Sequence, residues 1–369
     1  MNICIESQLL NHPRRSGLMT YTEGLINSLR GNDKENDYMM VYYSLTRRAD
    51  EMPGEERANF KKTVIKVPDY EFWGRQFIVD RVALPAFLRE KKCRVFHRPS
   101  GYTMPDANGV FKVLTVHDLR TLTIGDQRWM QNIKRYQETI AKVDVCVVVS
   151  ECTKKDLVLH FGVPEKKIKV IYLGADERFR PATPAQIETV KAKYGIREPF
   201  FLSIGSVPRK NIEGIIHGFA GSNFKDKYLL VLSCNQDIEK YKNLSGVLGI
   251  GSRVLILDRL NDGEVVALYS GSHAFLFPSL YEGFGLPILE AFQCGAPVVT
   301  SNLSSCPEVA GDAAILVNPQ DAKEISAAIN QLCQDEQLKK NLIRKGFERA
   351  TMFSWNKYGE EMKKVYAMA

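Results

Sequence analysis

Short runs of β-branched, aliphatic and aromatic residues, each followed by a longer amphipathic stretch, govern what this chain can fold into. The runs begin with Asn2–Glu6, Tyr38–Tyr43, Val64–Val67, Val95–Arg98, Lys112–His117, Val143–Val149 and Ile168–Leu173. They restart with Pro199–Gly205, Tyr228–Ser233, Arg253–Leu257, Ala274–Pro278, Pro297–Ser301 and Ala313–Val317. Unbroken apolar runs such as Val145–Val149 and Leu229–Leu232 suit strands covered by helices on both faces, the normal state of a parallel sheet. The pattern predicts two doubly wound α/β domains, and 369 residues is enough for each to bury its own core. The break falls at Leu173-Gly174-Ala175-Asp176, before the proline-bearing Arg180-Pro181-Ala182-Thr183-Pro184. The expected division is 1–174, 175–352 and a C-terminal helix at 353–369 that could cross back to the first domain. In that helix Trp355, Tyr358, Met362, Val365 and Tyr366 recur at helical spacing and should bury one face.

Composition excludes several classes. The chain is 44% hydrophobic and 25% charged, the balance of an ordinary globular protein rather than a disordered or fibrous one. Eight scattered cysteines form no Cys-x-x-Cys pair and read as reduced core residues, which points to the cytoplasm. Neither a secretion signal nor a bilayer-length apolar stretch is visible. The formal charge of +7 comes entirely from residues 1–175, with 28 Lys and Arg against 21 Asp and Glu. A basic half favours anionic partners: a phosphorylated acceptor, an acidic membrane surface or nucleic acid. Phe72-Trp73-Gly74-Arg75-Gln76-Phe77 is the stretch suited to a membrane or lipid-linked acceptor, although Phe77, Val82, Leu84 and Leu88 read more simply as core.

The densest chemistry lies in Glu282-Gly283-Phe284-Gly285-Leu286-Pro287 and the residues up to Pro297. Pro287 suits a first helical turn and Gly295 the left-handed residue after the last, so a helix of about two turns is predicted between them. Glycines at 283 and 285 bare the backbone just before a helix N-terminus, a favourable place for phosphate or sugar oxygens. Glu282 stands at the mouth of that loop and Glu290 one turn into the helix, both able to accept hydrogen bonds from sugar hydroxyls. A second motif, Gly205-Ser206-Val207-Pro208-Arg209-Lys210-Asn211, follows a strand, at the sheet edge where open α/β folds bind ligands. Its guanidinium and ammonium can neutralise a departing diphosphate.

These motifs resemble the signature of glycosyltransferase family 4, with its two glutamates seven residues apart. Pro307-Glu308-Val309-Ala310-Gly311-Asp312, Val317-Asn318-Pro319 and Tyr172-Leu173-Gly174-Ala175-Asp176 look like the family as well. The resemblance implies a GT-B fold, two Rossmann-like domains facing across a cleft, and a retaining hexosyltransferase. It makes Arg209 and Lys210 the diphosphate clamp, Glu282 the donor-sugar contact and Glu290 the ribose contact. It also places Ser206 and the amides of Phe284, Gly285 and Leu286 at the donor, and Arg259 and Leu260 at the nucleotide base. In the first half Gly17 follows the place of a family glycine pair, here Ser16-Gly17, and His117 the place of a functional histidine.

The activity implied is transfer of a hexose from a nucleotide-diphosphate sugar to a glycan or lipid-linked glycan. GDP-mannose is the first expectation, from the resemblance to bacterial mannosyltransferases of surface polysaccharide assembly, and a UDP-sugar the second. No cofactor or metal is expected, because the sequence has no Asp-x-Asp to hold a diphosphate-bridging cation. The expected location is cytoplasmic, with peripheral contact to an anionic membrane and no nucleic-acid partner. A nucleotide-sugar epimerase or hydrolase on the same fold is the alternative. A nicotinamide dehydrogenase is disfavoured, since no G-x-G-x-x-G follows the first strand of either domain.

Overall fold

The computed structural model describes residues 1–12, 16–68, 74–119, 127–205 and 207–369. Phe72-Trp73 and Ser206, singled out from the sequence, lie outside the described residues. The chain divides into two compact units, one made of Met1–Gly174 with Trp355–Ala369, the other of Ala175–Ser354.

The first unit holds strands β1 (Asn2–Glu6), β2 (Asp37–Tyr43), β3 (Phe60–Ile65), β4 (Val95–Arg98), β5 (Phe111–Val116), β6 (Val145–Val148) and β7 (Ile168–Val170). All pair in parallel, in the order β3-β2-β1-β4-β5-β6-β7. The chain therefore winds outward from β1 to β3 and returns to β4 on the other side of β1, making a topological switch point between β1 and β4. The core runs through Cys4, Phe96, Leu114 and Cys146, all fully buried.

The second unit repeats the plan with β8 (Phe200–Ile204), β9 (Leu229–Ser233), β10 (Val254–Leu257), β11 (Ala274–Phe277), β12 (Val298–Ser301) and β13 (Ala314–Val317). Their order is β10-β9-β8-β11-β12-β13, again parallel, with the switch point between β8 and β11. Phe201, Leu230, Leu276 and Val299 fill its core.

Two local readings need correction. The third strand is Phe60–Ile65, four residues upstream of the predicted Val64–Val67. Its Lys61-Lys62 pair hides it as a hydrophobic run, but Phe60 is fully buried and its ring stacks on Tyr38 at 4.3 Å. In the segment 75–90, Phe77 and Val82 are about 60% exposed while Leu84 and Leu88 are buried. A π-helical turn at Val79–Ala83 inserts an extra residue, which shifts the helical phase so that Phe77, before it, and Val82, within it, fall off the face that Leu84 and Leu88 bury.

The C-terminal helix, Trp355–Tyr366, packs against the helix Gly17–Asn32. A Cβ on Gly359 would lie 2.9 Å from the Ser28 backbone, so the glycine sets how closely the two helices approach. Beneath them runs a buried polar chain. Tyr21 Oη bonds Tyr358 Oη at 2.5 Å and Thr115 Oγ1 at 2.7 Å, and the two nitrogens of His97 reach Tyr366 Oη at 2.6 Å and Thr115 at 2.8 Å. Burial, helped by the nearby His117, pushes the His97 pKa down to about 3, so the ring is neutral and acts as one donor and one acceptor. Among the described residues no helix is long and apolar enough to cross a membrane.

Candidate active site

The loop after β8 and the loop after β11 meet because those two strands are neighbours at the switch point of the second unit. Gly205, at φ +123°, turns the chain out of β8, and a Cβ there would lie 2.9 Å from Lys210 Cγ. The bare glycine lets the lysine fold back beneath its own loop. Pro208–Lys210 forms a single 3-10 turn, and Asn211 Nδ2 pins it by donating to the carbonyls of Pro278 and Pro319. The Leu280 amide donates to the Arg209 carbonyl at 2.8 Å and closes the two loops on each other.

Glu282 sits at this junction and is 5% exposed. One carboxylate oxygen meets Lys210 Nζ at 2.8 Å and the other meets Arg209 Nη1 at 2.5 Å. The solvated surface acid that such a turn usually carries is thus ruled out for Glu282. Burial alone would raise its carboxyl, but Lys210 and Arg209 outweigh that and hold it below the usual carboxylate range. Burial pulls the Lys210 ammonium below the ordinary lysine value; Glu282 opposes the shift and Arg209 adds to it. Lys210 Nζ also lies 4.2 Å from the centre of the Phe277 ring. With all three groups ionised the cluster keeps one net positive charge.

The segment after Glu282 follows its predicted course. Gly285 takes a positive φ, Pro287 enters the first turn of the helix Leu286–Gln293, and Gly295 takes a positive φ beyond it. In the first turn Pro287 has no N–H and the Ile288 amide donates to the Gly285 carbonyl at 2.9 Å, so the Leu286 amide and the helix dipole are what this end offers an anion. Ser305 Oγ shares its one hydrogen between the carbonyls of Glu282 and Phe284, and Ser304 Oγ accepts from the Glu282 amide, so these serines hold the loop from behind. Glu290 is half-buried and accepts a hydrogen bond from Tyr269 Oη at 3.2 Å. Desolvation raises its pKa to about 7, against the opposing bond from Tyr269.

Other expected positions stand apart from the cluster. Arg259 has φ +53° and a side chain 90% exposed, and with Leu260 it follows β10, the edge strand on the far side of β9. Gly17 and His117 belong to the first unit. Gly17 opens its helix behind an N-cap formed by Ser16, and nothing stands within 4 Å of a Cβ built on it. His117 Nε2 donates to the Pro99 carbonyl at 2.8 Å, and its ring meets Tyr21 edge-on. Burial lowers its pKa, so the neutral ring is favoured, with Nδ1 an acceptor that has no hydrogen bond among the described residues. Among the described residues no group of three or more His, Cys, Asp or Glu side chains is placed to hold a metal ion. Sequence reasoning missed Tyr269, Ser304 and Ser305, whose hydroxyls carry no pattern of their own. It also passed over Glu6 and Arg98, whose signal is a charged residue closing an apolar strand run.

Two parallel doubly wound sheets, the second with a carboxylate-bound cation pair at its switch point, define a two-unit α/β architecture, and comparison places the chain among known proteins. Residues 16–179 match the model of Glycosyltransferase Family 4 and residues 186–349 that of Glycosyl transferases group 1. The chain belongs to this glycosyltransferase family. It is 32% identical over 281 residues to O-antigen chain mannosyltransferase B of Escherichia coli, covering 73% of this chain and 72% of that protein. Serotype-specific mannosyltransferase WbdA of the same organism is 28% identical over 268 residues, 69% of this chain but about a third, 33%, of WbdA. Among solved structures, Anabaena HepE in complex with UDP and glucose superposes with a TM-score of 0.77 at 17% identity over the full length of both chains. WaaG, a glycosyltransferase involved in lipopolysaccharide biosynthesis, gives 0.75 at 15% identity, covering 99% of each. At such identities these likenesses establish the GT-B fold alone.

Proposed function

We propose that the protein transfers a hexose, with retention at the anomeric carbon, from a nucleotide-diphosphate sugar to a glycan or lipid-linked glycan. The observation that carries this reading is the Arg209–Glu282–Lys210 cluster set against the N-terminus of the helix Leu286–Gln293. Departure of the nucleoside diphosphate builds negative charge on its oxygens, and fixed cations and amide dipoles stabilise that charge more in the transition state than in the substrate. Glu282 keeps the two cations ordered in a partly desolvated place, so little reorganisation is needed when the diphosphate arrives. Because both its oxygens are engaged by cations, Glu282 is a poor nucleophile, which favours attack on the same face over a covalent glycosyl intermediate. Glu290 takes the ribose hydroxyls, the amides of Phe284, Gly285 and Leu286 face the donor, and Arg259 and Leu260 flank the base. Ser206 and Gly17 contribute backbone or hydroxyl contacts to the donor, and His117 offers Nδ1 to a sugar hydroxyl.

The named mannosyltransferase relatives make GDP-mannose the leading donor, and the UDP complexes among the fold neighbours keep UDP-sugars second. The reaction runs without a divalent metal, since Arg209 and Lys210 supply the compensating charge. Activity is therefore expected to survive EDTA, and full loss restored by magnesium would contradict the metal-free reading. A nucleotide-sugar panel assayed by mass spectrometry, with and without glycan acceptor, tests the whole proposal. Acceptor-dependent product with the donor's anomeric configuration, read by NMR, is expected. Product formed equally without acceptor would indicate a hydrolase or epimerase instead.

A further inference from the structure

The first unit has its own cluster at the equivalent position, the switch point between β1 and β4. Glu6 is the last residue of β1 and Arg98 the last of β4, and both line a cavity of about 280 Å³ together with Gln76, Ser100, Tyr102 and Thr103. That volume falls just under the roughly 300–1,000 Å³ of pockets for drug-sized ligands and suits a single sugar ring.

An arginine in a pocket invites an anion, but here its donors are all committed. Arg98 Nε donates to Glu6 Oε2 at 2.8 Å, and Nη2 to Glu6 Oε1 and Asp80 Oδ1, both at 2.9 Å. Nη1 donates to the carbonyl and the hydroxyl of Thr103, both at 2.6 Å. A guanidinium has five N–H bonds, and these contacts use them. Glu6 and Arg98 line the cavity and Asp80 backs Arg98 from behind, so this cluster sets two carboxylates against one cation, contrary to the basic excess of the surrounding half.

What the wall still offers is acceptors and hydroxyls. Glu6 Oε1 takes bonds from Tyr43 and Arg98, whereas Oε2 takes one and has capacity for another. The Gln76 amide nitrogen is spent on Asp80 and Thr103, and its oxygen has no hydrogen bond among the described residues. Thr103 Oγ1 accepts from Arg98 and Gln76 and keeps its own hydrogen to give, and Ser100 Oγ has no hydrogen bond among the described residues. Tyr102, 53% exposed and set edge-on to Tyr136 at 5.5 Å, adds an aromatic ring at the rim for the C–H groups of a sugar.

We propose that the Glu6–Gln76–Ser100–Tyr102–Thr103 pocket binds one uncharged sugar residue through its hydroxyls, and that it discriminates against phosphorylated sugars. On the glycosyl-transfer reading above, this residue belongs to the acceptor, which would then be a neutral glycan at that position. The test uses the full chain and two probes, methyl α-mannoside and mannose 6-phosphate, with binding followed by ligand-observed NMR. Methyl α-mannoside is expected to bind saturably and mannose 6-phosphate more weakly. Tyr102→Ala and Gln76→Ala should each weaken methyl α-mannoside by about fivefold, the factor that one lost contact typically carries. Tyr102 is exposed enough that its removal leaves the fold intact. Equal or tighter binding of the phosphorylated sugar, unchanged binding in both variants, or no saturable binding of either probe would overturn the proposal. GDP and UDP titrated into the same samples separate the two readings: loss of nucleotide binding strikes the donor-site assignment and leaves the pocket standing.

Discussion

Lys210 is the side chain on which the donor-site reading presses hardest. Lys210→Ala leaves Glu282 still paired with Arg209, so the fold should hold while turnover drops at least about tenfold, ~1.4 kcal/mol of barrier, in a steady-state assay. Glu282→Gln should lower turnover by a similar factor and also lower Tm, because it leaves two nearly buried cations without their counter-charge. Near-normal rates in both would refute the assignment. Glu290 makes a separate, pH-dependent claim. Its pKa rises from 4.5 to about 7 on folding, so between those values the folded chain holds a proton that the unfolded chain has released. Folding stability from this group therefore falls as pH climbs from about 4.5 to about 7 and stays reduced above. Glu290→Gln should match the wild-type Tm near pH 4.5 and exceed it at pH 8; parallel pH–Tm curves would show the carboxyl is not so perturbed. The sequence marks both glutamates through their local setting of glycines and proline. It does not reveal that Glu282 already grips two cations or that Tyr269 caps Glu290, because those partners come from distant strands and helices.

The loop from Gly205 to Asn211 works as a unit. Gly205→Ala puts a Cβ into Lys210 at a φ that alanine avoids, so a stability loss of about 1–3 kcal/mol in chemical denaturation is expected. Affinity for GDP or UDP, measured by calorimetry, should fall with it; retained affinity would mean the lysine's placement is immaterial. The helix Leu286–Gln293 was legible because its start and stop are written in the residues themselves, proline at one end and glycine at the other. The parallel strands were legible for the same reason, as nearly continuous apolar runs. The edge strand β3 was displaced because edge strands tolerate lysines on their open side, and only the distant Tyr38 explains why Phe60 belongs in it. The π-helical turn at Val79–Ala83 has no residue signature at all, so the exposure of Phe77 and Val82 could not be read ahead of the coordinates.

The first unit is assembled from both ends of the chain, and the buried bonds among Tyr21, His97, Thr115, Tyr358 and Tyr366 fasten the late helix to the early sheet. Tyr366→Phe removes the hydroxyl from His97 and strands a buried ring nitrogen, which should cost about 1–3 kcal/mol. Thermal unfolding resolved by unit, with limited proteolysis of the first, checks this; an unchanged first transition would show the bond is dispensable. Such pairing across more than two hundred residues is beyond any local pattern, although the apolar spacing of Tyr358, Met362, Val365 and Tyr366 does mark a helix with one face to bury. The second unit is continuous, and its two ends, Ala175 and Ser354, lie side by side as a bridged pair. On the ribosome, then, every residue of that inner unit is made before the outer one acquires its closing helix. A chain cut after residue 354 would keep every residue of the second unit while leaving the first without the helix that closes it.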